Sequence, residues 1–216
     1  MLTLKYYGHA MWSLFTESFH IILDPFADIG YEMPVELKAD IVISSHEHFD
    51  HNNFKLIMPP FQKISQIGTY QLKDCKIKMI EATHGRLNEK NLGDTFLIHI
   101  TYNKTTFLHC GDLGAVLNDD LLKEIGDIDI LFVPVGGQYT INAAQAKEVI
   151  EQLSPKFVFP MHYKTPKSSI DIIDTIEPFA VLYPDMETIT SNIFEISIDD
   201  LNKQKQRIVK LNYEDS

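Results

Sequence analysis

Between His46 and His51 the chain places three histidines and an aspartate in six residues, His46-Glu47-His48-Phe49-Asp50-His51, directly after the apolar run Ile41-Val42-Ile43 and the pair Ser44-Ser45. No other feature constrains the fold as strongly. Imidazole and carboxylate side chains at this density are metal-donor chemistry, and a solvated polar loop does not need them. Alternate residues of an extended segment point the same way, so His46 and His48 can offer their rings to one ion. A turn near Asp50 then redirects Asp50 and His51 towards a second position. One short loop can thus feed two metals.

The pattern around this segment is strand-rich. Aromatic and β-branched runs separated by Gly, Asp and Pro predict strands over Leu2–Tyr7, Met11–Thr16, Phe19–Leu23 and Asp40–Ser44. Further strands are expected at Ile77–Ile80, Thr95–Thr101, Thr105–Leu108, Ile128–Val133, Phe157–Phe159, Val181–Tyr183 and Ile193–Ile198. Helices are expected over Asn118–Ile125, Asn142–Leu153 and Ser169–Thr175. In the second of these, Ala143, Ala146, Val149, Ile150 and Leu153 recur at the spacing of one buried face. Strands dominate early and helices punctuate them later, which fits an α+β layered sandwich better than a doubly wound parallel sheet. No repeat, low-complexity tract or Gly/Ser-rich linker marks a boundary. Residues 1–200 therefore read as a single domain, and 201–216 as a polar tail, helical or frayed.

Charge narrows the partners. With 19 Lys+Arg against 30 Asp+Glu the chain carries a net charge of -11, and its average field repels a phosphate backbone. No Lys/Arg cluster with interleaved aromatics offsets this, so nucleic acid is not an expected partner. No apolar segment approaches the ~18–20 residues that span a bilayer, and the N-terminal residues lack the features of a signal peptide, so no membrane association is expected. Cys75 and Cys110, the only cysteines, are far apart and form no Cys-x-x-Cys pair; they suit a reduced, cytoplasmic compartment. Cys110 is expected to be a buried structural thiol. Homo-oligomerisation is left open.

The hexad resembles the His-x-His-x-Asp-His signature of the metallo-β-lactamase superfamily, and the resemblance extends from about residue 4 to about residue 190. Tyr7-Gly8-His9-Ala10 and Leu23-Asp24-Pro25-Phe26 look like the branch that contains ascorbate-phosphate lactonases and uncharacterised small metal-dependent hydrolases. Cys110-Gly111-Asp112-Leu113-Gly114, Pro134-Val135-Gly136-Gly137-Gln138-Tyr139-Thr140 and Phe159-Pro160-Met161-His162-Tyr163 look like it as well. The resemblance implies a four-layer αββα sandwich with two mixed sheets face to face and a metal site at one edge. It also implies a ligand set. His46, His48 and His84 would hold a first metal, and Asp50, His51 and His162 a second, with Asp112 bridging them. Each added position suits that role chemically. His84 lies just past the strand Ile77–Ile80. Asp112 follows Gly111, which lets the backbone approach closely. His162 ends a short apolar strand.

Two departures bear on the pocket walls. The stretch between His51 and His84 is short and carries Pro59-Pro60, and Ala115 follows Gly114 where a histidine is common in close members. Among the other histidines, His20 and His99 fall within strands and read as surface or satisfied core residues. His109 matches no ligand position. His9, in a turn before a strand, is a candidate catalytic residue, reaching the cleft as a substrate-binding or ligand-supporting group, and Asp24 is expected to orient a ligand by hydrogen bonds.

The chemistry implied is hydrolysis with two divalent metal ions. Zinc suits the histidine and carboxylate donors, while manganese and iron accept the same set. Metals lower the pKa of a water towards ~7, and the resulting hydroxide attacks a carbonyl carbon or phosphorus. Asp50 is placed both to ligate and to take the proton of the nucleophile. The Gly136–Thr140 turn reads as a tight turn that can also present donors to substrate. A small ester, lactone or phosphoester is the expected substrate. The rival readings are a redox di-iron protein, whose relatives place a glutamate where His48 stands, and a metal-dependent nuclease or phosphodiesterase.

Overall fold

The computed structural model of the chain describes residues 1–34, 36–72, 74–87, 90–203 and 205–213, without the side chains of 86, 87, 90, 91 and 198. Among them, two sheets carry the architecture. The six-stranded sheet runs in the order Ile193–Ile196, Leu2–Gly8, Met11–Phe15, His20–Leu23, Ile41–Ile43, Gln62–Ile64. The eight-stranded sheet runs Glu187–Ile189, Arg207–Leu211, Phe157–Met161, Ile130–Pro134, Thr105–His109, Asp94–Tyr102, Cys75–Thr83, Gly68–Leu72. Both are mixed. In the first, Ile41–Ile43 pairs in parallel with His20–Leu23 and with Gln62–Ile64 while the N-terminal pairs are antiparallel. In the second, Thr105–His109 pairs antiparallel with Asp94–Tyr102 on one side and in parallel with Ile130–Pro134 on the other.

The sheets pack face to face. Leu4, Tyr6, Trp12, Leu14, Ile21 and Ile43 from one meet Ile77, Ile98, Phe107, Phe132, Phe159 and Val209 from the other in a single buried cluster. Trp12 anchors it, its ring 4.7 Å from that of Phe132 and 5.5 Å from that of Phe159. Emptying such a position costs about 3–5 kcal/mol. The outer face of the eight-stranded sheet shows Leu97, Leu108, Leu131, Val133 and Val158, which the helices Asp119–Ile125, Ala143–Leu153 and Glu177–Leu182 cover. The Ala143–Leu153 helix buries Ala143, Ala146, Val149 and Ile150, the face expected from its periodicity, and Asn142 and Gln145 close a capping box at its start. Loops and the 3-10 turn Phe54–Leu56 form the layer over the six-stranded sheet, where Phe26, Ile29, Tyr31, Leu37 and Ile57 cover Ile22 and Val42. This is the αββα sandwich expected of the family, with one outer layer thin. No helix among the described residues is long and apolar enough to cross a membrane.

Three segments differ from their expected state. Ser169–Thr175, expected as a helix, is irregular: Asp174 donates its N–H to Gly136 O and accepts from Lys164 N, and these bonds to other loops preclude a helical turn. Val181–Tyr183, expected as a strand, instead closes the helix Glu177–Leu182, which Pro178 starts and buried Phe179 anchors. The stretch from Asn202, expected as a terminal helix or frayed tail, contributes the strand Arg207–Leu211 at least as far as the described residues reach. Burial of Ile208, Val209 and Leu211 and the bidentate Arg207–Glu187 pair hold it in the sheet.

Candidate metal centre

Chain direction gathers the expected donors at one edge of the sandwich. His9, Asp24 and the hexad follow the C-terminal ends of Leu2–Gly8, His20–Leu23 and Ile41–Ile43, strands that all run the same way in their sheet. In the other sheet His84, Asp112 and His162 follow the ends of Cys75–Thr83, Thr105–His109 and Phe157–Met161, again co-directional. Three of these exits pass through non-glycine residues in the left-handed region, His9 (φ 51°), Asp24 (φ 45°) and His162 (φ 52°). Such conformations cost on the order of 1–3 kcal/mol and survive only where the surroundings over-determine them. Here they are pinned: His162 N donates to His9 O at 2.7 Å and Asp24 N donates to Ile43 O at 2.9 Å.

Close packing at two glycines draws the loops of the site together. A Cβ on Gly111 (φ 49°) would meet Ser45 and Thr95 at 2.7 Å, and one on Gly85 would overlap the Tyr139 carbonyl. Gly111 therefore lets the Asp112 turn lie against the hexad loop, as its sequence position suggested.

The side chains converge in three overlapping groups: His46, His48 and His84; His9, Asp50, His51 and His162; and His46, His51 and Asp112. Within each group the donor atoms all lie within 4.8 Å of one another. Asp112 stands between the sets. Its Oδ2 is 3.3 Å from His84 Nε2 and 3.9 Å from His46 Nε2, while its Oδ1 is 3.1 Å from His51 Nε2 and 3.3 Å from His162 Nε2. Asp50 Oδ2 is 3.9 Å from His51 Nε2 and 3.3 Å from His9 Nε2. All expected site residues are therefore at one locus, with His48 and Asp50 at its partly open mouth and the others buried.

Hydrogen bonds around the centre aim the imidazoles. Asp24, wholly buried, takes His51 Nδ1 at 2.9 Å and accepts from Ser45 Oγ at 2.7 Å and Ser45 N at 2.6 Å. Ser45 Oγ, its proton committed to Asp24, accepts from His46 Nδ1 at 2.9 Å, and His84 Nδ1 faces Gly85 O at 3.3 Å. With Nδ1 carrying a proton in each ring, Nε2 is the nitrogen turned inward, and a neutral ring presents a lone pair there. His46 and His84 then oppose lone pairs at 3.2 Å, an arrangement that a cation between them satisfies. His51 Nε2, Asp112 Oδ1, and both ring nitrogens of His9 and of His162 are buried without a hydrogen-bond partner. Orphaned polar atoms at this density are costly unless something else meets them. The donors are nitrogen and oxygen with no thiolate, so the set fits divalent zinc, manganese or iron.

Electrostatics agree. Burial, with the neighbouring His51, pushes His46 down to about 3, and burial, with His162, pushes His9 down to about 4, so both are neutral donors at pH 7. Burial alone would raise the Asp112 carboxyl, but His162 and His51 hold it well below the usual range. Burial likewise opposes ionisation of Asp50, and His9 and His51 more than offset it.

Asp24, expected from the sequence to orient a ligand by hydrogen bonds, bonds His51 Nδ1. Ser45, which couples Asp24 to His46, and Thr95, whose Oγ1 accepts from Asp112 N at 3.3 Å, carry no such expectation. Adjacency of Ser45 to the hexad was the available signal. His109 lies outside the donor set: its Nε2 donates to Ala10 O at 2.8 Å and its Nδ1 accepts from Gly111 N, so it braces the His9 and Asp112 turns against each other. His20 is satisfied by Ser13 Oγ at 3.0 Å, away from the centre. Cys110 is fully buried and its thiol is pushed up by burial, as a structural residue. The Gly136–Thr140 segment is a tight turn in which Gly137 N donates to Ile141 O and Thr140 N to Gly137 O.

Comparison with known proteins gives one consistent result. A family model described as the β-lactamase superfamily domain matches residues 3–162. YtkL of Bacillus subtilis (strain 168), a metal-dependent hydrolase by name, is 29% identical over 76% of this chain and 86% of its own. A protein from Thermotoga maritima, assigned to the Zn-dependent hydrolases of the metallo-β-lactamase superfamily, is 32% identical over 98% of both chains, with a TM-score of 0.80. CmlA, a diiron β-hydroxylase from Streptomyces venezuelae, shares the fold at 13% identity and a TM-score of 0.67 over 98% of this chain and 53% of its own.

Proposed function

The chain belongs to the β-lactamase superfamily and is a metal-dependent hydrolase, and from that premise we propose that it works with two divalent cations on a small ester, lactone or phosphoester. What carries the two-cation reading is Asp112, whose carboxylate oxygens face different histidine sets, Oδ2 towards His84 and Oδ1 towards His51 and His162. A single ion would leave one of these sets unmet. His46, His48 and His84 hold the first position, Asp50, His51 and His162 the second, and Asp112 is shared. Zinc is the ion that this donor set favours.

Cations bound here supply a water acidified towards neutrality and a sink for the negative charge that builds on the substrate oxygen. The protein supplies the rest. Asp50 is ionised and partly exposed at the mouth, where its carboxylate takes the proton of the attacking water. Phe49, 66% exposed in the middle of the hexad, offers an apolar face beside the entrance for the non-reacting part of the substrate. The net charge of -11 argues for a small molecule over nucleic acid.

The test is metal stoichiometry joined to a substrate panel. Metal-free protein reloaded with zinc should retain about two ions per chain after gel filtration and hydrolyse at least one class among lactones, thioesters and phosphodiesters. A saturating stoichiometry of one ion would overturn the two-cation reading.

A further inference from the structure

The seven donors just assigned leave His9 without a partner that suits it. Its imidazole is wholly buried, and neither ring nitrogen has a hydrogen-bond partner. Buried nitrogens left unmet are costly unless something else meets them. The backbone nevertheless works to keep the ring where it is. His9 takes a left-handed conformation (φ 51°) at an irregularity in the pairing of Leu2–Gly8 with Met11–Phe15. Its carbonyl is held by His162 N at 2.7 Å and Tyr6 Oη at 3.0 Å, and Gly8 before it lies against the Tyr31 ring so closely that a Cβ would overlap it. Strain maintained by this many contacts marks a side chain that is being aimed.

It is aimed at the second position. The ligand atom of His9 lies within 4.8 Å of those of Asp50, His51 and His162. Its Nε2 is 3.3 Å from Asp50 Oδ2, and its ring centroid is 4.1 Å from that of His162 and 5.2 Å from that of His51. Two donors bound to one ion at ~2.0–2.2 Å with roughly right-angled to tetrahedral separation stand about 3.0–3.5 Å apart. The His9–Asp50 distance falls in that range, as do the separations of His51 and His162 from Asp112 Oδ1, 3.1 and 3.3 Å.

We propose that His9 is a further protein ligand of the second metal position, joining Asp50, His51, His162 and Asp112 through Nε2. The inference rests on the two-cation reading above. It makes the two positions unequal. The first, with His46, His48, His84 and Asp112, has the donor count of a tetrahedral zinc site; the second exceeds it and takes a higher-coordinate ion.

Cobalt(II) titration of metal-free protein separates these possibilities without any assay of turnover, because d–d absorption weakens as coordination number rises. Wild type should bind two equivalents, one with strong absorption and one with weak. His9→Gly suits the test, since glycine adopts the left-handed conformation freely. Its second equivalent should bind at least about tenfold more weakly, the scale seen when a metal site loses a supporting group, and should absorb more strongly. The first equivalent should be unchanged, and imidazole in solution should restore the wild-type spectrum. His9→Asn, also tolerant of positive φ but too short to reach, should repeat the loss and guards against a folding defect peculiar to glycine. A second equivalent with wild-type spectrum in both variants, whether or not its affinity falls, overturns the proposal: His9 then only orients Asp50. Wild type that binds a single equivalent overturns the two-cation reading, and this proposal with it.

Discussion

Asp24 Oδ2 lies 2.9 Å from His51 Nδ1, and both side chains are wholly removed from solvent. The bond fixes which His51 nitrogen faces the centre and raises its basicity as a donor. Asp24→Asn keeps the shape and removes the charge. Affinity at the position His51 serves should fall ~10–100-fold, the usual cost of losing such a partner. The His46 position, which Asp24 reaches only through Ser45 Oγ, should weaken less. Titration of metal-free protein reads both; unchanged affinity at both would show that Asp24 does not set the ring.

The same pair controls the proton inventory of metal loading. Burial opposes a proton on His51, but the Asp112 and Asp24 carboxylates outweigh it and raise the pKa well above the ordinary value. The metal-free protein at pH 7 therefore holds a protonated His51, whose proton must leave when the ring becomes a ligand. His9 and His46, pushed down to about 4 and about 3, are already neutral and release nothing. Removing the Asp24 charge lowers the His51 pKa, so Asp24→Asn should release fewer protons on loading at pH 7, by up to about one. Calorimetry in two buffers of different ionisation enthalpy measures the difference. Equal release by the two proteins would show that His51 is neutral before metal arrives.

Gly85 follows His84 at a point where a side chain has no room, since a Cβ would run into the Tyr139 carbonyl. Gly85→Ala must push the His84 loop and the Gly136–Thr140 turn apart. Overpacking of this kind costs about 1–3 kcal/mol. The displacement should also weaken metal at the first position, because donor bonds of ~2 Å tolerate little movement. Thermal melting and metal content together check this. A variant as stable as wild type and fully loaded would mean that the two loops separate freely.

What was legible in the chain and what was not divides along physical lines. The hexad could be read because its donors are contiguous and an apolar strand precedes them. His84, Asp112 and His162 are isolated polar residues just past strands, which any surface loop also offers, so only the family resemblance singled them out. The sandwich followed from strands whose burial comes from their own apolar residues, such as Ile130–Pro134, buried throughout. Gln62–Ile64 and Glu187–Ile189 were missed because they lie at sheet edges with little buried surface, and pairing with a neighbour is all that makes them strands. Arg207–Leu211 was obscured by the charged residues around it, although Val209 reaches the main core. Val181 misled in the other direction. A β-branched residue predicts a strand, yet it stands 79% exposed on a helix that Phe179 ties to the sheet.

Asp50 offers a separation of the ligand role from the proton-accepting role. It is partly exposed, 3.3 Å from His9 Nε2 and 3.9 Å from His51 Nε2, and belongs to the second position only. Asp50→Asn keeps the size and one acceptor oxygen but removes the charge and the basic oxygen. If the carboxylate takes the proton of the attacking water, kcat should fall by ~10²–10⁴, the range lost with general acid–base help. Metal at the position of His46, His48 and His84 should persist, while the second weakens because a neutral amide is a poorer donor than a carboxylate. Assaying at metal concentrations that saturate the second position isolates the proton-transfer contribution from occupancy. Turnover near wild type under those conditions would remove Asp50 from the base role and leave it as a ligand alone.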